Sequence, residues 1–151
     1  ISDDWGAQSG LMVSPRTWWD LIYPAHEPTC RAVKEAGAFL SLHTDGNNNQ
    51  VVEGIVKLGF AVVHPWPESA GMSLDDFRDN WMGQFTAMGG LDVQTTIGFG
   101  RLDKLETEIR RVLGMFRDGG LLYCTTHFIQ DHCTMEELVF AFDLINEIRG
   151  A

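Results

Sequence analysis

Ala38–Gly46 reads AFLSLHTDG, an apolar β-prone run that ends abruptly in His43, Thr44 and Asp45 before a glycine turn. Three further runs repeat that layout: Phe60–His64 (FAVVH), Gln84–Met88 (QFTAM) and Leu121–Thr125 (LLYCT). Gly59, Gly83 and the pair Gly119-Gly120 precede them. A glycine there can close a helix in the left-handed conformation before the chain turns back into a sheet. Helical spacing fills the intervals. Ser14-Pro15 supplies an N-cap with proline at the first helical position. Ser73-x-x-Asp76, Asp103-x-x-Glu106 and Thr134-x-x-Glu137 resemble capping boxes. Leu105, Ile109, Val112, Leu113 and Phe116 share one helical face, as do Leu138, Val139, Phe142 and Ile145, and both stripes are expected to pack on the sheet. Met135 and the pair Trp18-Trp19 read as core or interface. Strands alternating with helices predict a parallel α/β sheet of about four βα units.

No linker or low-complexity tract divides the 151 residues, so residues 1–151 read as one domain. Twenty-one acids against eleven lysines and arginines leave a net charge of −10. That balance excludes a nucleic-acid-binding face and fits poorly with an anionic membrane surface. No apolar run approaches the roughly 20 residues that span a bilayer. Cys30, Cys124 and Cys133 are odd in number and lack C-x-x-C spacing, and no signal-peptide pattern precedes them. The expected compartment is the cytoplasm.

In a βα barrel the active site forms at the C-terminal ends of the strands. Polar residues gather at those ends in every unit of this chain. Asp3-Asp4 follow an opening stub, and His43, Thr44 and Asp45 end the first full strand. His64 ends the second, Asp92 and Gln94 follow the third, and His127 follows the fourth. Each also has a plainer reading. Asp45-Gly46 can be a turn that caps the next helix, His64 a hydrogen-bonded wall residue, and Asp4 a loop cap. His132 and Cys133 read as structural.

Four ordered motifs resemble one family, the uroporphyrinogen decarboxylase family with its corrinoid-linked methyltransferase branch. DDWGAQSGLMVSP (Asp3–Pro15) is similar to the family's strand-end loop and helix start. AFLSLHTDG resembles the strand that non-decarboxylase members end in H-x-D-G or H-x-C-G. MGGLDVQ (Met88–Gln94) resembles the G-G-I-D-x-Q segment, and GGLLYCTTHFIQ (Gly119–Gln130) the last strand with its active-site histidine. The resemblance implies the C-terminal half of a (β/α)8 barrel, a fold that takes roughly 250 residues when complete. The expected content is the end of about the fourth strand and four further units. The N-terminal half, with the arginine-rich segment that binds porphyrinogen carboxylates in decarboxylases, is expected to lie outside the chain.

The resemblance also suggests roles. His127, Asp4 and Asp92 are the expected catalytic residues, and Asp3, His64 and Gln94 the expected substrate contacts. His43, Asp45 and His127 are the expected zinc ligands. Three functions stay open. In the first, a corrinoid-linked enzyme uses zinc to activate a thiol or orient a methyl donor, with a corrinoid protein as partner. The second is cofactor-free decarboxylation of porphyrinogen acetate arms, in which an acid protonates the pyrrole. The third is a non-catalytic half-barrel module. In each the chain is expected to pair with its missing half or a second copy.

Overall fold

The structure is a computed structural model and describes residues 1–150. A hairpin of two short strands, β1 (Gly6–Ala7) and β2 (Gly10–Leu11), lies near the start. Four strands then form one parallel sheet in chain order: β3 (Ser41–His43), β4 (Val62–His64), β5 (Thr86–Leu91) and β6 (Leu121–Thr125). Before β3, α1 (Pro15–Thr17) runs through a π-helical turn at Trp18–Ile22 into α2 (Tyr23–Glu35). Each sheet strand is followed by a helix: α3 (Val52–Leu58), α4 (Leu74–Asp76, continued by a π-helical turn at Phe77–Trp81), α5 (Leu102–Met115) and α6 (Met135–Gly150). Four parallel βα units make this a half barrel.

The stub adds a fifth position. Ser2 bridges His43 in parallel, His43 N–H donates to the Ile1 carbonyl at 2.8 Å, and Asp3 N–H donates to the His43 carbonyl at 3.0 Å. The outer edge of β3 is therefore occupied beside His43 by residues 1–3, the place expected for the end of the preceding strand.

Register separates the two faces. Ser41 pairs with Val62 and Val62 with Thr86, while Leu42 pairs with Val63 and Val63 with Ala87. Leu42, Val63 and Ala87 are buried against the helices, in one core with Trp5, Trp18, Ile55, Trp66 and Phe77. A second core joins Leu91, Val93 and Ile97 to Leu105 and Ile109 of α5 and to Ala141 and Leu144 of α6. The opposite, concave face carries His43 and His64 side by side, because they are register partners.

Several expected elements shift. β3 and β4 pair only from Ser41 and Val62, and the Val62 N–H bond to the Leu40 carbonyl opens that ladder. β5 starts later than Gln84 and runs on through Gly89-Gly90 to Leu91. A Cβ on Gly90 would meet the Tyr123 ring at 2.9 Å and Val112 at 3.1 Å, so the glycine lets α5 press on the strand. α5 begins at Leu102, with Arg101 at the cap position, and Asp103 pairs with Arg101 instead of capping. The stripe expected on α6 is rotated. Val139 and Phe142 are 52% and 66% exposed and Met135 is also exposed, whereas Glu137, Ala141 and Leu144 face inward. A glutamate in the buried row hides it from a reading of apolar spacing. The Ser14, Ser73 and Thr134 caps form as expected.

Candidate active site

His43, His64 and His127 meet at the C-terminal end of the sheet. His64 Nε2 lies 3.3 Å from the Thr125 carbonyl oxygen. That oxygen can only accept, so His64 carries its proton on Nε2. Its Nδ1 then accepts from His43 Nδ1–H at 2.8 Å. Burial pushes the His64 imidazole below its ordinary pKa; the Thr125 hydrogen bond opposes this, and the His43 and His127 rings reinforce it. A neutral His64 in one tautomer orients His43, whose Nε2 faces Asp4 Oδ1 at 3.8 Å. The His127 ring stands edge-on to His43 with centroids 6.4 Å apart, and its Nδ1 lies 3.4 Å from Gln130 Nε2.

The loop after β3 is built on buried polar bonds. Thr44 and Asn48 are fully or nearly fully buried. Trp5 N–H donates to Thr44 Oγ1 at 3.0 Å, and Asn48 Nδ2 reaches the carbonyls of Thr44, Asp45 and Gly46. Asp4 Oδ1 accepts from Asp45 N–H at 2.9 Å, and Asp45 Oδ1 accepts from Gly46 N–H at 2.8 Å. Asp4 and Asp45 thus sit on adjoining backbone, each with one carboxylate oxygen committed to the loop.

A cavity of about 670 Å³ opens at these strand ends, lined by Asp45, Gln94, Phe99, His127, Gln130 and His132 among others. No lysine or arginine lines it. Its far wall is the loop from Val93 to Gly100, fixed from beneath. Val93 N–H donates to Thr126 Oγ1, His132 Nε2 donates to the Val93 carbonyl, and Glu137 accepts from both Gly98 and Gly100 N–H. Gln94 also bridges the mouth, accepting from Gln8 Nε2 of the β1–β2 turn at 2.5 Å.

The expected site residues divide accordingly. Asp45, Gln94 and His127 line the cavity, and His43, His64 and Asp4 stand together at its edge. Two are turned elsewhere. Asp92 is buried and its carboxylate accepts from Ser69 N–H and Gln94 N–H, which ties the β4 and β5 loops together. Asp3 Oδ2 accepts from Trp5 Nε1 at 2.8 Å and lies 2.9 Å from His26 Nε2. Both carboxylates fasten backbone and helix packing, and neither lines the cavity. Sequence reading missed Phe99, Gln130 and Asn48. Phe99 had a signal, an aromatic residue between two glycines after a strand end. Asn48 had none.

The donor set does not fit zinc as it stands. Among the described residues, no three His, Cys, Asp or Glu side chains are grouped to hold a metal ion. The facing Nδ1 atoms of His43 and His64 are too close to share one tetrahedral zinc at roughly 2.0–2.1 Å each. None of the described helices is long and apolar enough to cross a membrane.

No family model matches the chain, and no curated protein matches it. A solved structure does: a methyltransferase from Methanosarcina mazei, with a TM-score of 0.74 and 19% sequence identity. The match covers 99% of this chain and 41% of that one, so the chain spans about two fifths of that protein's length. At this identity the likeness is one of fold, a four-unit parallel βα segment within a larger chain.

Proposed function

We propose that this chain carries the C-terminal half of the active site of an enzyme of the uroporphyrinogen decarboxylase family, and that the enzyme transfers a methyl group in the manner of the corrinoid-linked branch. The observation that carries the choice is the pair of carboxylates at the strand ends, Asp45 in the cavity wall with Asp4 beside it. A porphyrinogen presents carboxylates of its own, which this pair repels. The fold likeness to a protein named as a methyltransferase supports the same reading. His43 and His127 are the proposed ligand-facing nitrogens, with His64 positioning His43 and Asp4 and Asp45 supplying negative charge. Gln94 is assigned to the mouth, and Asp92 and Asp3 to holding loops.

Zinc, which assists transfer in that branch, needs a further donor besides this chain's residues in their present arrangement. Metal analysis of the full-length protein addresses it directly. Stoichiometric zinc, weakened in both His43→Ala and His127→Ala, supports a completed metal site; trace zinc and unchanged variants remove it.

The function itself is tested by incubating the full-length protein with isotope-labelled methyl donors and a corrinoid acceptor, beside uroporphyrinogen as the competing substrate. Label transfer that falls at least about a hundredfold in His127→Ala is expected. Decarboxylation of uroporphyrinogen without methyl transfer would replace this reading.

A further inference from the structure

Among the described residues, the fixed charge at the cavity is negative. Asp45 lines it and Asp4 abuts the same turn through the Asp45 N–H. Among the described residues, neither carboxylate is paired with a lysine or arginine; the one basic partner is His43 Nε2, 3.8 Å from Asp4. Two carboxylates held close by a shared loop stabilise a positive charge brought between or beside them. The backbone keeps them there: three carbonyls of the turn are bound by Asn48, and the Gly46 backbone presses against Gly6.

Phe99 adds an aromatic ring to the cavity lining. It is an apolar ring left 51% exposed at the cavity lining, and it does not collapse into the second core beside it. Its flanking glycines explain why. Gly98 and Gly100 N–H groups both donate to the buried Glu137 carboxylate, at 3.0 and 2.9 Å, and a Cβ on Gly98 would strike the His132 ring. The clamp holds the ring at the cavity lining, tilted against the His132 ring with centroids 5.4 Å apart. An aromatic face and an unneutralised carboxylate in one cavity form the pairing that receives alkylated ammonium groups, which are weakly hydrated and attracted by a ring's quadrupole.

We propose that the group bound in this cavity is a small methylated ammonium cation, with Asp45 as its counter-ion and Phe99 as its aromatic cover. The inference rests on reading the cavity as the methyl-donor site, but it concerns binding alone.

Three probes of one shape separate charge from size: choline, its uncharged isostere 3,3-dimethyl-1-butanol, and the anion 3,3-dimethylbutanoate. Each is titrated into the full-length protein at about pH 8, where an imidazole is ordinarily neutral, while amide resonances of Gln94 and Gly98–Gly100 are followed. Choline is expected to shift those resonances, with the isostere at least about tenfold weaker and the anion weaker still. Asp45→Asn keeps the acceptor for Gly46 N–H, so it is expected to fold. It should weaken choline about tenfold and leave the uncharged isostere unchanged. Phe99→Leu should weaken choline as well. Equal binding of the isostere or the anion, or no choline binding at millimolar concentration, would overturn the inference. The two readings fail separately. Methyl transfer from an uncharged donor with no choline binding sinks this inference and leaves methyl transfer standing. Choline binding that requires Asp45, with no methyl transferred from any donor, upholds this one and removes the other.

Discussion

At His64, burial and hydrogen bonding act on one imidazole. The folded state holds its pKa below the ordinary value near 6.5, so below that pH the unfolded chain binds more protons. Its contribution is complete above about pH 6.5 and is lost as pH falls through that value toward the lowered folded one. Calorimetry is expected to show the thermal midpoint falling between about pH 7 and about pH 5.5, and His64→Gln to shrink that fall. An unchanged slope in the variant would show that His64 is not held neutral. Glu137 is the opposite case. Burial pushes its carboxyl up, but hydrogen bonds from Gly100, Thr134 and Gly98 outweigh it and hold the pKa below the ordinary value. Glu137→Ala leaves those donors unmet and should cost about 2–4 kcal/mol by urea unfolding, while Glu137→Gln, which still accepts through one oxygen, should cost less. A loss within about 0.5 kcal/mol for the alanine variant would mean that water replaces the clamp.

Between elements, the β1–β2 hairpin and the turn after β3 meet backbone to backbone. Gly46 has φ +77°, and a Cβ there would lie 2.5 Å from the Gly6 carbonyl carbon. Gly46→Ala should therefore cost about 2 kcal/mol or more and move the Asp4 and Asp45 carboxylates apart. Gly114 lies within α5 with open space around its Cβ position. There the same change should stabilise by about 0.5–1 kcal/mol, because alanine loses less backbone entropy in a helix. Chemical denaturation of the pair would check both signs, and equal effects would show that the close approach is not limiting.

At the scale of the whole molecule, β6 pairs only with β5 among the described residues, and its other edge is unpaired. Leu122 of β6 is 50% exposed, and Val139 and Phe142 of α6 add an exposed apolar stripe. Unpaired parallel edges bind whatever strand is available. The net charge of −10 slows association without satisfying the edge hydrogen bonds. Sedimentation of the 151-residue chain alone should show self-association, relieved by a segment that completes the sheet. A monodisperse, cooperatively unfolding monomer would show that this edge is closed within the chain.

The order of residues was enough to read the parallel βα alternation, because strand runs, glycine stops and capping residues are local features of neighbouring positions. It was also enough to put His43, His64 and His127 at one end of the sheet, since each follows an apolar run at a strand end. It could not say which carboxylates face the cavity. Asp92 and Asp45 both follow strand ends, yet Asp92 is taken up by two backbone amides from different loops. Nor could it orient α6, whose inward row contains a glutamate satisfied by glycines 37 and 39 residues earlier. Those outcomes depend on partners distant in the chain. A polar side chain turns inward where folding supplies its hydrogen bonds, and outward where it does not.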